Sequence, residues 1–383
     1  MAWRECWRKI AHKENSVKYL FINVLAGSGS TGRIVAETCR DLMAHGHECL
    51  IGYGRGQCSC PDIPCIRIGS DLDNKINAGL NRIFDNAGFG TESPTRKFLQ
   101  QVKAYDPDVI WLHNLHGYYL HVGLLFDYLR TCGKQIFWTL HDCWAMTGHC
   151  AYFDYVGCDR YEYGCDHCPE KKQYPASLLM DGSRRNYQKK KALFTGIPQM
   201  HLIVPSNWLM QRVKRSFLKD YPVEVRYNTV NQEIFKPSPS HFRSQYHLED
   251  KKILLGVASV WDRRKGLDDF LSLQEMLDDR YQIVLVGLNP EQMKTLPREI
   301  LALPRTKTPG ELAEIYSAAD YYINPGVEET FGMTVLEAQR CGTTAIVYEN
   351  TACAEVAELF GGIVVPRGPE NLFRAVSDRP QEA

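Results

Sequence analysis

Residues 327–338 read Val-Glu-Glu-Thr-Phe-Gly-Met-Thr-Val-Leu-Glu-Ala and follow a short apolar run at residues 321–324. An apolar run, a polar turn with a glycine and then a helical pattern are typical of a β-turn-α unit of a parallel sheet. The start of such a helix offers unpaired N–H groups and the positive end of its dipole, where a pyrophosphate binds readily. We therefore predict that Phe331, Gly332 and Met333 contact the phosphates of a nucleotide ligand.

Two carboxylates flank this helix start. Glu329 lies in the turn, and Glu337, eight positions later, lies in the second helical turn. That spacing excludes a short-range acid/base pair and predicts two different roles. A carboxylate inside the helix can accept hydrogen bonds from both ribose hydroxyls, whereas one just before the helix can contact a sugar. The alternative, an acidic helix cap followed by an exposed glutamate, stays open.

A second polar turn lies upstream, where residues 261–266 read Trp-Asp-Arg-Arg-Lys-Gly after the apolar run 253–258. The carboxyl ends of parallel strands are where α/β proteins bind ligands. Arg263, Arg264 and Lys265 are therefore predicted to bind the phosphate oxygens of the same nucleotide and to offset the charge of a leaving diphosphate. A solvated basic turn is the alternative.

The first half of the chain has the same alternation of apolar runs and helical patterns. The runs, each typical of a strand buried on both faces, are 18–25, 48–52, 109–113, 135–140 and 201–204. A glycine turn after the first run, at residues 27–32, matches the dinucleotide-binding pattern. The acidic residue that a dinucleotide-binding domain carries after its second strand is missing, and Arg55 takes its place. A nicotinamide cofactor bound here would therefore have to be the phosphorylated one, as in an NADP-dependent oxidoreductase. Alternatively, Gly27, Gly29 and Gly32 let backbone approach a ligand, with Arg33 nearby.

Histidines follow two successive strands of this half. His113 and His116 come after one run, and His141 with Asp142 comes after the next. Because carboxyl ends of neighbouring parallel strands meet at one edge, both groups are expected to line a ligand cleft. We predict His141 and Asp142 as catalytic residues, with Asp142 orienting or charging the imidazole, and His113 and His116 as residues that line the cleft.

The chain holds 14 cysteines, which in a protein of this size with α/β periodicity favour a reducing compartment, so a cytoplasmic protein is expected. Four of them fall in a loop insertion at about residues 143–170: Cys150, Cys158, Cys165 and Cys168. Four soft ligands suit a tetrahedral structural zinc, and a metal-free loop that packs its thiols as small hydrophobic groups is the alternative.

The length of 383 residues suits two domains, predicted as 18–229 and 230–383. With 45 basic and 45 acidic residues, the charge balance argues against a nucleic-acid partner. The apolar runs are too short for a membrane helix. Residues 1–17 combine basic and aromatic side chains and are interpreted as an extension, either disordered or in peripheral contact with the cytoplasmic face of the inner membrane.

The Glu-x7-Glu spacing and the Lys265-Gly266 turn resemble family 4 glycosyltransferases of the GT-B fold, and the resemblance extends from about residue 18 onward. Residues 139–144 (Thr-Leu-His-Asp-Cys-Trp) and 147–150 (Thr-Gly-His-Cys) are most similar to enzymes of bacterial exopolysaccharide assembly, such as colanic acid synthesis. The resemblance implies two facing Rossmann-like domains with a cleft between them, and transfer, with retention, from a nucleoside diphosphate sugar to a saccharide acceptor, expected to be lipid-linked. It also implies that no cofactor is required, that Lys265 binds the diphosphate, Glu337 the ribose and Glu329 the donor sugar, and that His141 lines the cleft. The resemblance makes 18–229 the acceptor-side domain and 230–383 the nucleotide-sugar-binding domain. It implies that Gly29 approaches the donor phosphates and that the acceptor side includes Gly27, Gly32, Arg33, His113 and His116.

The sequence departs from the family pattern in three places. Val260 replaces an arginine that usually precedes the lysine by five residues, so Arg263 or Arg264 is expected to substitute for it. Residues 228–231 read Asn-Thr-Val-Asn instead of a pattern resembling Asn-Gly-Val-Asp. The sequence also ends soon after a predicted helix at 370–376, where we expect a trimmed C-terminus. A sugar-nucleotide epimerase, a phosphorylase or a non-catalytic binding module of the same fold remain the rival interpretations.

Overall fold

The computed structural model describes residues 16–377, which divide into two units. The first unit runs up to Pro205 and resumes at Leu209–Arg226, and the second consists of Ser206–Trp208 and the chain from Tyr227 onward. The second unit holds Ser206–Trp208 through Glu355, whose carboxylate accepts from the Asn207 and Trp208 N–H groups at 2.9 and 3.1 Å. Most of the predicted extension at 1–17 lies outside the described residues.

The first unit is a doubly wound α/β domain. Its strands are β1 (Lys18–Asn23), β2 (Glu48–Tyr53), β3 (Cys65–Arg67), β4 (Val109–Leu112), β5 (Gln135–Thr139), β6 (Met200–Val204) and β7 (Val223–Val225). The helices are α1 (Gly29–Ala44), α2 (Asp71–Phe84), α3 (Glu92–Tyr105), α4 (Val122–Thr131), α5 (Ser183–Phe194) and α6 (Asn207–Arg215), of which α6 begins in the second unit. Within the described residues the strands form one parallel sheet in the order β3-β2-β1-β4-β5-β6-β7.

The second unit repeats this plan with a smaller sheet. Its strands are β8 (Lys252–Val257), β9 (Tyr281–Val286), β10 (Leu301–Leu303), β11 (Tyr321–Asn324), β12 (Thr344–Tyr348) and β13 (Ile363–Val365). The helices are α7 (Phe242–Tyr246), α8 (Leu267–Met276), α9 (Pro290–Thr295), α10 (Pro309–Ala318), α11 (Met333–Arg340), α12 (Ala352–Glu358) and α13 (Pro369–Ser377). The described strands pair in parallel in the order β10-β9-β8-β11-β12-β13.

Burial on both faces explains why the strands are continuous apolar runs. Every residue of β4 is buried, as are the four central residues of β8. Close packing also depends on one small residue: a side chain at Gly52 in β2 would begin 2.5 Å from the ring of Phe98, so α3 lies against the sheet only because position 52 has no Cβ.

The sequence-based element bounds need three corrections. Helix α1 begins at Gly29, so Gly29 and Gly32, which were predicted to lie in a turn, are helical. Helices α2 and α3 were not predicted. The chain passes between the units at Arg226, three residues before the predicted position, and also around Ser206–Trp208. No helix in the described part of the chain combines the length and apolarity needed to cross a membrane.

Candidate active site

The second unit has a topological switch point between β8 and β11. These strands are hydrogen-bonded neighbours, with Leu254 opposite Tyr321, yet β8 is followed by β9 on one side and β11 by β12 on the other. The loops that leave their carboxyl ends therefore diverge, which is where open α/β sheets bind ligands. Both polar turns singled out in the sequence lie in these two loops.

The loop after β8 is a tight turn shaped by Asp262 and Gly266. The Asp262 carboxylate accepts from the backbone N–H groups of Arg264 and Lys265 at 3.0 and 3.2 Å. Gly266 ends the turn with φ 75°, and a Cβ at this position would lie 2.4 Å from Cγ of Pro325. Because Pro325 follows β11 directly, the missing side chain lets the two loops touch.

Lys265 and Glu329 join these loops by an ion pair between Nζ and Oε1. The Lys265 side chain is 25% exposed and the Glu329 side chain 20% exposed, so the pair is partly shielded from solvent but can still be reached by a ligand. Burial would lower the pKa of Lys265, but Glu329 outweighs it, so the pKa is raised and the side chain stays an ammonium at neutral pH. The structure thus brings together the predicted diphosphate and sugar contacts.

The two arginines of the turn have different surroundings. Arg264 donates to Asp262 at 2.8 Å and to Glu328 at 3.4 Å, and the Glu328 side chain is only 1% exposed. Arg263 pairs with Asp268 at 3.2 Å and is 77% exposed. Of the two candidates to replace the family's missing arginine, Arg264 is therefore the one that lies within the charged network. The sequence analysis did not single out Glu328.

Helix α11 begins at Met333, directly after Gly332 with φ 89°. Glu337, in its second turn, is buried and accepts a hydrogen bond from the Tyr316 hydroxyl at 3.1 Å. Phe331 is 3% exposed and packs in the core, so its backbone, not its ring, is what a ligand at the helix start would meet. Tyr316 was not predicted; it fixes the Glu337 carboxylate.

In the first unit, His113 and His141 form a stacked pair after β4 and β5. Nδ1 of His113 lies 2.9 Å from Nε2 of His141, with the rings 5.2 Å apart. Burial lowers the pKa of His141 to about 4, and it lowers the pKa of His113 further below its ordinary value. The expectation that Asp142 charges His141 is thus wrong: Asp142 does raise the pKa, but burial outweighs it and both rings are neutral at pH 7.

Asp142 instead pairs closely with His116. Its Oδ2 lies 2.6 Å from Nε2 of His116, whose Nδ1 lies 3.0 Å from the Tyr174 hydroxyl. Burial would raise the pKa of Asp142, but His116 and the N–H of Trp144 outweigh it, so the pKa is lowered and the carboxylate stays ionised. Tyr174 gave no sequence signal, because it follows the cysteine loop in sequence and approaches His116 only in the folded chain.

The glycine turn of the first unit lies at the other switch point, between β1 and β4. Gly27 and Gly29 have φ 74° and 65°, while Gly32 is buried within α1 and Arg33 is exposed. The buried Asn23 ties the two loops together: its amide donates to Leu25 O at 2.8 Å, and its Oδ1 accepts from the Asn114 N–H at 3.3 Å. An asparagine at the end of an apolar strand was the available but unused sequence signal.

Part of the second unit matches a known protein family. Residues 251–379 match the family model described as glycosyl transferases group 1. The chain carries a group 1 glycosyltransferase domain. A relative, the putative colanic acid biosynthesis glycosyl transferase WcaC of Escherichia coli, is 28% identical over 194 residues, which cover 45% of this chain and 46% of the relative. The chain thus spans about half the length of this curated relative.

Solved structures extend the likeness to both units. Sucrose-phosphate synthase from Thermosynechococcus elongatus is similar with TM-score 0.69 and 17% identity, over 94% of this chain and 89% of that one. The Anabaena HepE structure in complex with UDP and glucose has TM-score 0.64 and 15% identity, over 96% and 90%. At these identities the likeness shows the fold, and the predicted GT-B class of two parallel-sheet α/β domains is confirmed. Lys265, Glu329 and Glu337 all lie within the matched residues 251–379.

The predicted cysteine set lies in the other unit and is only partly gathered. The thiols of Cys150 and Cys168 hydrogen bond to each other. The predicted set (Cys150, Cys158, Cys165 and Cys168) does not place its ligand atoms within 4.8 Å of one another, and between residues 16 and 377 one group of three or more potential ligands does so. That group is Cys58, Cys60 and Cys65. Zinc in the predicted loop stays a prediction that would require the loop to close around the ion.

A buried cation stabilises this cysteine loop. Lys190, 1% exposed, donates to the carbonyl oxygens of Trp144 and Thr147 at 2.7 and 3.1 Å, and its Nζ lies 3.5 Å from the centre of a Trp144 ring. Burial lowers the pKa of Lys190 to about 7. A second buried contact joins His149 and Asp85 at 2.6 Å. The loop is therefore anchored by polar groups whose charge depends on pH.

Proposed function

We propose that the chain transfers a sugar from a nucleoside diphosphate sugar to a saccharide acceptor during glycan assembly. The observation that carries the proposal is the Lys265–Glu329 ion pair beside the start of α11, with Glu337 held one turn deeper in the same helix. A diphosphate at the helix start would meet backbone N–H groups and the ammonium of Lys265. The ribose would then reach Glu337 and the sugar Glu329.

The arrangement suits departure of a nucleoside diphosphate. The raised pKa keeps Lys265 cationic, so its charge and the helix end stabilise the negative charge that builds up on the leaving diphosphate. In the proposed retaining reaction the bond between the anomeric carbon and the diphosphate oxygen breaks while the acceptor oxygen bonds to the same carbon. The freed phosphate oxygen takes the proton of the acceptor hydroxyl on the same face of the sugar. No protein nucleophile and no cofactor take part in this proposal.

We propose the first unit as the acceptor-binding unit. His141, neutral at pH 7, is suited to hydrogen bonding with a sugar hydroxyl, and the ionised Asp142 holds His116 in place. The glycines Gly27 and Gly32 and the exposed Arg33 complete the proposed acceptor side. The likeness to a colanic acid enzyme supports polysaccharide assembly, and the proposed acceptor is a lipid-linked saccharide reached at the cytoplasmic face of the membrane.

Two glutamate variants test the proposal. Glu337→Gln keeps the hydrogen bond from Tyr316 but loses a charged acceptor, so it should weaken binding of both UDP and UDP-sugar by about 1.5–3 kcal/mol. Glu329→Gln should leave UDP binding largely intact and lower turnover, because its contact is with the transferred sugar. The matched control is Glu314→Gln, an exposed residue of α10.

The binding of UDP, and of the corresponding guanosine and adenosine diphosphates, is measured for both variants by calorimetric titration. The rate of transfer is then measured with radiolabelled sugars and a saccharide acceptor. UDP is the first probe because the similar Anabaena structure contains it. If both variants behave like the control in binding and transfer, the two carboxylates are ordinary helix-end groups and the proposal fails. An inverted anomer in the product would refute retention, and sugar release that requires free phosphate would instead indicate a phosphorylase.

A further inference from the structure

Three cysteines of the first unit come together beside the glycine turn, and none of them has been given a role above. Cys58 and Cys60 lie in the loop between β2 and β3, and Cys65 is the first residue of β3. The Sγ atoms are 3.5 Å apart for Cys58 and Cys60, 3.0 Å for Cys58 and Cys65, and 4.0 Å for Cys60 and Cys65. Each thiol is therefore close to both others.

These distances suit one metal ion with three thiolate ligands. Zn–S bonds of about 2.3 Å in a tetrahedron place sulfur atoms roughly 3.8 Å apart, within about 0.3 Å of two of the three separations, and the Cys58–Cys65 pair would open by about 0.8 Å on binding. A disulfide would join two sulfurs at about 2.05 Å and leave the third without a role. Thiolate ligands are soft, which favours zinc over magnesium or calcium.

Burial and charge around the group favour metal entry. Cys60 is buried in the core, whereas Cys58 and Cys65 are partly exposed, so an ion can arrive from solvent on one side. The nearby carboxylate of Asp62 is already held by Arg40 at 2.7 Å, which leaves solvent as the fourth ligand.

The loop that carries these thiols lies against the glycine turn. The N–H of Ser59 donates to Ala26 O at 2.9 Å, and a Cβ at Gly27 would lie 2.8 Å from the carbonyl carbon of Ser59. On the other side Cys65 is paired with Ile51 in the sheet. An ion bound here would connect the sheet edge to the loop that supports residues 27–29.

We propose that Cys58, Cys60 and Cys65 bind one Zn²⁺ through three thiolates and one water molecule, and that the ion fixes the 58–60 loop against the glycine turn. Each thiol that coordinates gives up its proton to solvent, so up to three protons are released per ion bound. The site is separate from the predicted zinc loop at Cys150–Cys168, and its test does not require the proposed transferase activity.

The test measures zinc content of the full chain after exposure to ZnCl₂ and removal of loosely bound metal. The double variant Cys58→Ser/Cys65→Ser should hold one zinc per chain fewer than the wild type. Cys132→Ser, which changes a partly buried thiol at the end of α4, is the matched control. Cys158→Ser/Cys168→Ser shows how much zinc is bound by the cysteine loop at 143–170 instead. Both should retain the Cys58 site. Equal zinc content in the Cys58/Cys65 variant and the wild type overturns the proposal.

A second measurement on the wild-type chain covers the case in which the double variant does not fold. Zinc should slow alkylation of Cys58 and Cys65, identified by peptide mass, at least tenfold, while the rate at Cys132 stays unchanged. Cobalt in place of zinc should add thiolate-to-metal charge-transfer absorption that disappears in the Cys58/Cys65 variant. Unchanged alkylation with zinc, or a Cys58–Cys65 disulfide in protein prepared without oxygen, overturns the proposal.

Discussion

Replacing Gly266 by alanine should separate two costs that are usually measured together. An L-residue with φ near 75° costs roughly 1–2 kcal/mol, and forcing a methyl group into a packed contact adds about 1–3 kcal/mol. At Gly266 the Cβ would lie 2.4 Å from the Pro325 ring and 2.8 Å from its carbonyl oxygen, and a proline ring cannot swing aside. We therefore expect Gly266→Ala to cost about 2–5 kcal/mol.

Gly361 is the matched control in the same unit. Its φ is 72°, but a Cβ at this position would have nothing within 4 Å, so Gly361→Ala should cost only the backbone strain of about 1–2 kcal/mol. Hydrogen exchange of amides in β8 and β11 gives the opening free energy of this unit alone, which matters because a two-unit chain need not unfold in one step. Gly266→Ala should also weaken UDP binding, because Lys265 precedes it. Equal costs for the two variants would refute the close approach to Pro325.

Two further predictions concern lysines. Lys265→Ala should slow sugar transfer about 100-fold in steady-state assays, since losing one charge contact in the transition state costs on the order of 3 kcal/mol, and unchanged turnover would remove Lys265 from the site. Lys190 has a pKa of about 7 in the folded chain and about 10.4 in the unfolded chain, so between these pH values the unfolded state binds more protons. The free energy of unfolding should therefore rise with pH by up to about 1.4 kcal/mol per pH unit in that range. Lys190→Met should remove this slope from urea unfolding between pH 7 and 9; an equal slope in both proteins would show that Lys190 does not titrate there.

The sequence predicted the local structure of the two polar turns in the second unit well, because each local signal agrees with the fold. The strand at 321–324 was predicted with the bounds that the structure gives, and Gly332 lies where a helix entering from a strand needs positive φ. Lys265 and Glu329 are 64 positions apart, yet their closeness follows from the neighbouring strands that carry them. Which of the two arginines joins the charged network depended on side-chain packing and could not be read from three adjacent cations.

Other features depended on tertiary context. The first turn of α1 contains Gly29 and Gly32, whose weak helix propensity hid it. The pKa of His141 was misjudged because the adjacent Asp142 was visible in the sequence and the burial of the ring was not. The Cys58 group was missed for a similar reason: its spacing resembles no common zinc motif, and the short strand β3 brings Cys65 back to the other two thiols.

The assignment of Ser206–Trp208 to the second unit affects how enzymes of this kind can be recombined. Besides the contacts to Glu355, the Ser206 hydroxyl donates to Thr330 O at 2.7 Å, one residue from Glu329. A chimera that joined the first 229 residues of one parent to the remainder of another would pair a foreign tripeptide with this loop. Under the proposed function, a single breakpoint would transfer the donor-binding unit without the tripeptide that contacts its loop. Exchanging residues 206–208 along with the second half would keep the parental contacts.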